Sequence, residues 1–107
     1  NIAPSRVEAF LCIEPEIEQV MVTGDKRPYL SAIIVPADGD GGASESQIKA
    51  AIDRANLRLS QIEQVRKFII ADAPFTVDNG QMTPTLKVRR HIVQDVYANK
   101  IDNLYKR

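Results

Sequence analysis

Apolar and polar residues alternate along this chain with two periods, one helical and one strand-like. Ser5 followed by Glu8 three residues on fits a capping box behind Pro4, and Val7, Phe10 and Leu11 then share one face. Pro15 disfavours helical geometry at Glu14, so this helix is expected to end near there. Gln19 to Thr23 is rich in β-branched and apolar residues, and Tyr29 to Val35 is nearly free of charge. The turn-like Gly24-Asp25-Lys26-Arg27-Pro28 between them predicts a β-hairpin. Pro36 to Ser44 is glycine-rich and reads as a flexible surface loop. A second helix is expected from about Ser44, with Gln47 completing a capping box. Its apolar stripe is Ile48, Ala51, Ile52, Ala55, Leu59 and Ile62. A third strand falls at about Arg66 to Ile70, and Ala71 to Thr85 is mostly irregular. Ile92, Val93, Val96, Tyr97, Ile101, Leu104 and Tyr105 then mark a last helix.

The order α, β, β, α, β, α, without internal repeat or second domain, predicts a single α+β domain. Its expected form is a small, mostly antiparallel sheet of about three strands with three helices packed on it. The length of 107 residues agrees, since a chain of this size buries somewhat over ~60% of its unfolded surface, enough for one core. Lysine plus arginine number 14 and so do aspartate plus glutamate. That balance argues against a nucleic-acid partner, whose binding rests on excess positive charge. The three tyrosines and three phenylalanines show no strand-repeated pattern of the kind that stacks RNA bases. The uncharged run Tyr29 to Val35 is far short of the ~20 residues that span a bilayer, so no transmembrane segment is expected. With no initiator methionine and no signal peptide, the start Asn1-Ile2-Ala3-Pro4 reads as that of an excised domain.

Few residues offer chemistry. His91 is the only histidine and stands beside no organised nucleophile and carboxylate, so no triad can be built; it reads as surface or boundary structure. Cys12 lies next to the apolar face of the first helix and reads as a buried small hydrophobe. Glu14, Glu16 and Glu18 offer pairing to basic residues elsewhere, with a solvated acidic face as the default reading. Asp38 and Asp40 suggest a calcium loop, but the twelfth position from Asp38 is Lys49, where a bidentate glutamate is required. No Cys/His cluster points to a metal, and no phosphate-cradling glycine loop is present.

One stretch stands apart. Pro74 to Arg90 reads PFTVDNGQMTPTLKVRR, a long loop that runs into a helix start crowded by Lys87, Arg89 and Arg90. Cations near a helix N-terminus oppose its dipole, and an anion joining them relieves the conflict. Phosphate or carboxylate is the natural guest, and a solvated basic helix start is the alternative. One form of that alternative is a stand-alone α+β module that binds an anion or an acidic partner without catalysis.

The same stretch resembles the C-terminal lysine motif of adenylate-forming enzymes, in the form used by long-chain fatty-acid–CoA ligases (acyl-CoA synthetases). The opening Asn1-Ile2-Ala3-Pro4-Ser5-Arg6-Val7-Glu8 is similar to the phrase after their interdomain hinge, so the resemblance covers the whole chain. It implies a mobile C-terminal lid domain, with ATP and CoA as substrates alongside a fatty acid and with the N-terminal domain of the same polypeptide as partner. Magnesium, the phosphate loop and the acyl pocket would lie in that other domain, and this piece alone would be inactive. Lys87 matches the lysine that enters the active site for adenylation; Arg89 and Arg90 are weaker candidates for holding a phosphate or the interface, and Thr83 and Thr85 for steadying the loop. Leu86 stands where many members of the wider superfamily have glycine, a departure that points to the long-chain subgroup. Fatty-acid substrates imply work at a membrane surface, and with no anchor in this segment a cytoplasmic enzyme, peripheral at that surface, is expected.

Overall fold

In the computed structural model, which describes residues 2–38 and 41–106, Pro4 opens helix α1 (Pro4–Cys12) from an extended Ala3. Proline suits the first turn because its missing N–H would be unsatisfied there anyway. The box expected between Ser5 and Glu8 does not form. Ser5 lies within the helix, and the Glu8 carboxylate instead accepts the Val22 N–H at 2.8 Å. Val7 and Leu11 are fully buried, and the helix stops before Pro15 as the sequence predicts.

The hairpin forms from β1 (Ile17–Thr23) and β2 (Leu30–Pro36), with Val20 opposite Ile34 and Thr23 opposite Ser31. Gly24 adopts φ 144°, and a side chain there would meet Tyr29 O at 2.9 Å and Leu30 Cα at 3.0 Å, so this tight end requires glycine. Of the loop predicted over Pro36 to Ser44, Gly39 and Asp40 lie outside the described residues. The Ser44–Gln47 capping box opens α2 (Glu45–Asn56) as expected, with the Gln47 N–H donating to Ser44 Oγ at 3.2 Å.

β3 (Val65–Ile70) pairs with β2 in parallel, giving the order β1-β2-β3. The α+β class holds, but the sheet is mixed rather than mostly antiparallel. The connection through α2 is long enough to return the chain to the same end of the sheet, which is what a parallel pair requires. The expected last helix is two: α3 (Arg90–Val96) and α4 (Ala98–Leu104) meet at Tyr97, whose ψ of 16° leaves the helical region.

Both faces of the sheet are covered. Val20, Val22, Ala32 and Ile34 face α1 and α2, whereas Met21, Ile33, Val35 and Ile69 face Val93, Tyr97 and Ile101. The strand period of two explains this sorting. Two apolar positions do not follow their stripes. Ile62 is 69% exposed because α2 ends at Asn56 and a 3-10 turn over Gln61–Glu63 redirects the chain. Val96 is 56% exposed because Val93, Tyr97 and Ile101, spaced by four, already form the buried line.

The acidic cluster is not simply solvated. Glu14 is buried and accepts from Arg54 Nε and Arg58 Nη2, each at 2.7 Å, while Arg54 also binds Glu16. The hydrogen bonds from Arg54 and then Arg58 hold the Glu14 carboxyl below its ordinary value, with burial opposing them. A carboxylate whose pKa is lowered by folding stabilises the fold above its unfolded value and loses that contribution as pH falls through the folded one. Glu14→Gln should cost about 1 kcal/mol at pH 7, a low value for charged hydrogen bonds because water reaches both guanidinium groups. In urea unfolding the gap to the parent chain should close as pH drops below 4.5, the ordinary glutamate value.

Candidate active site

Residues 71–89, between β3 and α3, contain no helix or named strand, yet they are fixed at several points. Phe75 is 2% exposed and fills the face of the sheet beside α3 and α4. Gln19 of β1 grips its backbone from both sides. The Phe75 N–H donates to Gln19 Oε1 at 2.8 Å, and Gln19 Nε2 donates to Phe75 O at 3.0 Å. Asn79 then folds the next turn on itself. Its Oδ1 accepts from the Thr76 and Gln81 N–H groups at 3.0 Å, and its Nδ2 donates to Pro74 O at 2.9 Å. Gly80 follows at φ 78°, a left-handed conformation that glycine adopts without steric cost.

Beyond this turn the chain makes a small hairpin. Met82 and Val88 form an antiparallel bridge. The Thr83 N–H donates to Lys87 O and the Leu86 N–H to Thr83 O, both at 2.8 Å. Pro84 stands second in that turn, where its fixed φ is preformed for the geometry. The expected role of the threonines is met: Thr83 Oγ1 accepts the Lys87 N–H at 3.1 Å and lies 3.1 Å from the Thr85 hydroxyl. Leu86 closes the turn at φ 63°. A side chain in the left-handed region costs roughly 1–2 kcal/mol, which glycine would avoid.

Lys87 follows Leu86 and is exposed. Among the described residues its ammonium has neither a hydrogen-bond nor an ion-pair partner, whereas its backbone is held on both sides. Arg89 is also exposed and caps the hairpin through its N–H, which donates to Gln81 O at 2.9 Å. Arg90 differs. Its guanidinium donates two parallel hydrogen bonds to Glu8, 2.7 Å at Nη1 and 2.5 Å at Nη2. That contact holds Arg90 strongly to its proton and ties the start of α3 to α1. The structure therefore presents Lys87 and Arg89 to solvent and engages Arg90 internally. Glu8 and Gln19 carry this anchoring, and neither shows in the sequence as more than a helix-start and a strand residue.

The remaining candidates stand elsewhere. His91 is exposed. Cys12 is exposed rather than buried, a correction that follows from its place on α1 opposite the Val7–Leu11 face. The neighbouring protein mass, then Glu8 and Glu18, push its thiol pKa up, which lowers its reactivity. Among the described residues there is no group of three or more His, Cys, Asp or Glu that could hold a metal ion. No helix among them is long and apolar enough to cross a membrane. A groove of about 790 Å³ opens beside the Gly24 turn, lined by Lys26, Tyr29, Arg66 and Arg90 among others, and does not include Lys87.

Comparison with known proteins adds a family. The sequence profile described as AMP-binding enzyme C-terminal domain matches residues 1–107. A long-chain-fatty-acid–CoA ligase of Mycobacterium tuberculosis, FadD15, is 35% identical over 128 residues, covering 100% of this chain and 21% of the ligase. A chloroplastic long-chain-fatty-acid–[acyl-carrier-protein] ligase of Arabidopsis thaliana, AEE15, is 38% identical over 113 residues, covering 98% of this chain and 15% of that protein. Among solved structures, the A-PCP didomain of carboxylic acid reductase from Segniliparus rugosus in complex with AMP superposes with a TM-score of 0.85. It is 32% identical, over 97% of this chain and 16% of its own. The chain thus spans about a fifth or less of the proteins it matches.

Gln19→Ala should leave both backbone polar groups of Phe75 without partners at a cost of about 1–3 kcal/mol. Amide hydrogen exchange should quicken from Phe75 to Met82 while the β2 amides keep their protection.

Proposed function

The chain belongs to the AMP-binding enzyme C-terminal domain family, and on that premise we propose that it serves a larger long-chain fatty-acid–CoA ligase as its mobile lid. The overall reaction would join fatty acid, ATP and CoA into acyl-CoA, AMP and pyrophosphate, with the lid supplying Lys87 to the first half. One observation carries this reading: the exposed Lys87 ammonium has no partner among the described residues, at the end of a hairpin whose backbone is fixed.

The chemistry asks for such a group. A carboxylate attacking the α-phosphorus of ATP brings like charges together, and negative charge gathers on phosphoryl oxygens in the transition state. A compact ammonium between the two reactants offsets that repulsion and orients both, without acting as a base. It must be unpaired beforehand, since a lysine already held by a carboxylate would have to break that contact on entry. It must also be braced, because a swinging loop would forfeit the gain from positioning. The hydrogen bonds of Thr83, Asn79 and Gln19 meet the second need. Carriage on a separate domain lets the lysine leave before the CoA thiol attacks the adenylate and expels AMP. Arg89, exposed two residues on and with its guanidinium bound among the described residues only through one long contact to Gly80 O at 3.4 Å, is the second cation within reach of a phosphate; Arg90 keeps the assembly docked on α1. The magnesium that accompanies ATP would be held outside the described residues. Fatty-acid substrates would bring such an enzyme to a membrane surface as a peripheral visitor.

A second reading has its own support. The carboxylic acid reductase structures superpose with a TM-score of 0.85, and AEE15 is named for an acyl-carrier-protein acceptor. The acceptor thiol could therefore belong to a carrier protein rather than to CoA. Offering both acceptors to the purified full-length protein decides it, and turnover with CoA alone is the expected outcome.

In that protein, Lys87→Ala should lower fatty-acid-dependent ATP–pyrophosphate exchange about 10²–10³-fold, the scale for losing one electrostatic donor. Conversion of supplied acyl-adenylate to acyl-CoA should persist. Survival of both half-reactions would remove Lys87 from the chemistry.

A further inference from the structure

Leu86 combines two unfavourable features at one position. Its backbone sits at φ 63°, where a side chain is strained, and the residue is 69% exposed. It belongs to neither buried cluster, although Met82 and Val88, which flank the same hairpin, pack against the second one. Every backbone contact that shapes the turn would be kept, and more easily, by glycine. The Leu86 side chain therefore has no place in either of the clusters that hold this domain together. Strain retained against an easier alternative points to a use beyond the fold.

We propose that Leu86 is an apolar docking knob that seats the Lys87 hairpin against an apolar hollow on the large domain of the same polypeptide during adenylation. This rests on the reading of Lys87 given above. The partner follows from the family: the matched region is 21% of FadD15 and 15% of AEE15, so most of each such protein lies outside the region this chain matches. The position follows from covalent geometry. Adjacent Cα atoms are about 3.8 Å apart, so any surface Leu86 meets lies within a side chain's length of the working ammonium. The chemistry follows from what an exposed leucine can do, which is to gain free energy by leaving water and to exclude water from the place it enters. A contact made only in the docked state favours docking without holding the lid closed through specific bonds. Leu86 is then a positioning residue, and its left-handed backbone sets the direction in which the knob projects relative to Lys87.

The test uses the full-length protein with Leu86→Gly, Leu86→Ala and Leu86→Met. Glycine removes strain and knob together, alanine keeps the strain but loses the knob, and methionine keeps an apolar group of similar volume. Exchange of ATP with pyrophosphate and conversion of supplied acyl-adenylate are read separately, at two fatty-acid chain lengths. Glycine and alanine should each lower exchange about tenfold or more, leave the second half-reaction unchanged, and do so equally at both chain lengths; methionine should retain exchange. Four results would overturn the proposal. These are undiminished exchange with glycine, opposite behaviour of alanine and glycine (a backbone effect), equal losses in both half-reactions, and a loss that grows with acyl length (contact with the fatty acid itself). Lys87→Ala run in parallel separates the two ideas: intact exchange there refutes the lysine's role, while the leucine variants still report whether the hairpin must be seated.

Discussion

A three-stranded sheet with apolar residues on both faces must be covered twice, and this constraint organises the domain. β2 is buried along all seven of its residues, which no helix pair on one side could achieve. α1 and α2 close one face. The other is closed by the short helices α3 and α4 and by Phe75, a residue of the irregular segment. The loop that carries the candidate lysine is therefore part of the core. Its conformation is held by the same burial that holds the sheet.

From that follows a division of labour within residues 71–90. Phe75 supplies the apolar anchor, and Gln19 satisfies the backbone that burial would otherwise strand. Asn79 and Thr83 set the two turns. Arg90 clamps the far end to Glu8, whose other contact is the β1 backbone at Val22. What emerges is a rigid base carrying Lys87, whose ammonium has no partner among the described residues, the exposed Arg89, whose guanidinium reaches Gly80 O at 3.4 Å, and one strained, exposed leucine at its end. Pre-organisation of this kind suits electrostatic work, because the group that must meet a charge is already oriented and need not abandon another partner.

Much of this was legible in the residues. The strand and helix segments emerge close to where the apolar periods put them, because short-range periodicity reflects a burial that the local sequence must satisfy. The Ser44–Gln47 cap forms because both partners lie within one helical turn. The lysine phrase from Pro74 to Arg90 pointed to the candidate site and to its family. Leucine in place of glycine at position 86 was visible too, though only as a departure from the wider superfamily's pattern.

Other features depended on pairs far apart in the chain. Glu8 has a short-range partner in Ser5 by spacing, yet Val22 and Arg90 take it, since a bidentate guanidinium and a strand N–H offer more than a local cap. The parallel joining of β3 to β2, the break of the last helix at Tyr97 and the exposure of Cys12, Ile62 and Val96 likewise depend on which neighbour arrives. The chain alone determined its segments, its α+β class and the candidate lysine, for these are written in local period and in a contiguous motif. Only the tertiary structure decided that Arg90 is engaged while Lys87 finds no partner among the described residues, and that Leu86 is strained. Pairing and backbone handedness are settled by long-range packing, and no spacing along the chain encodes that.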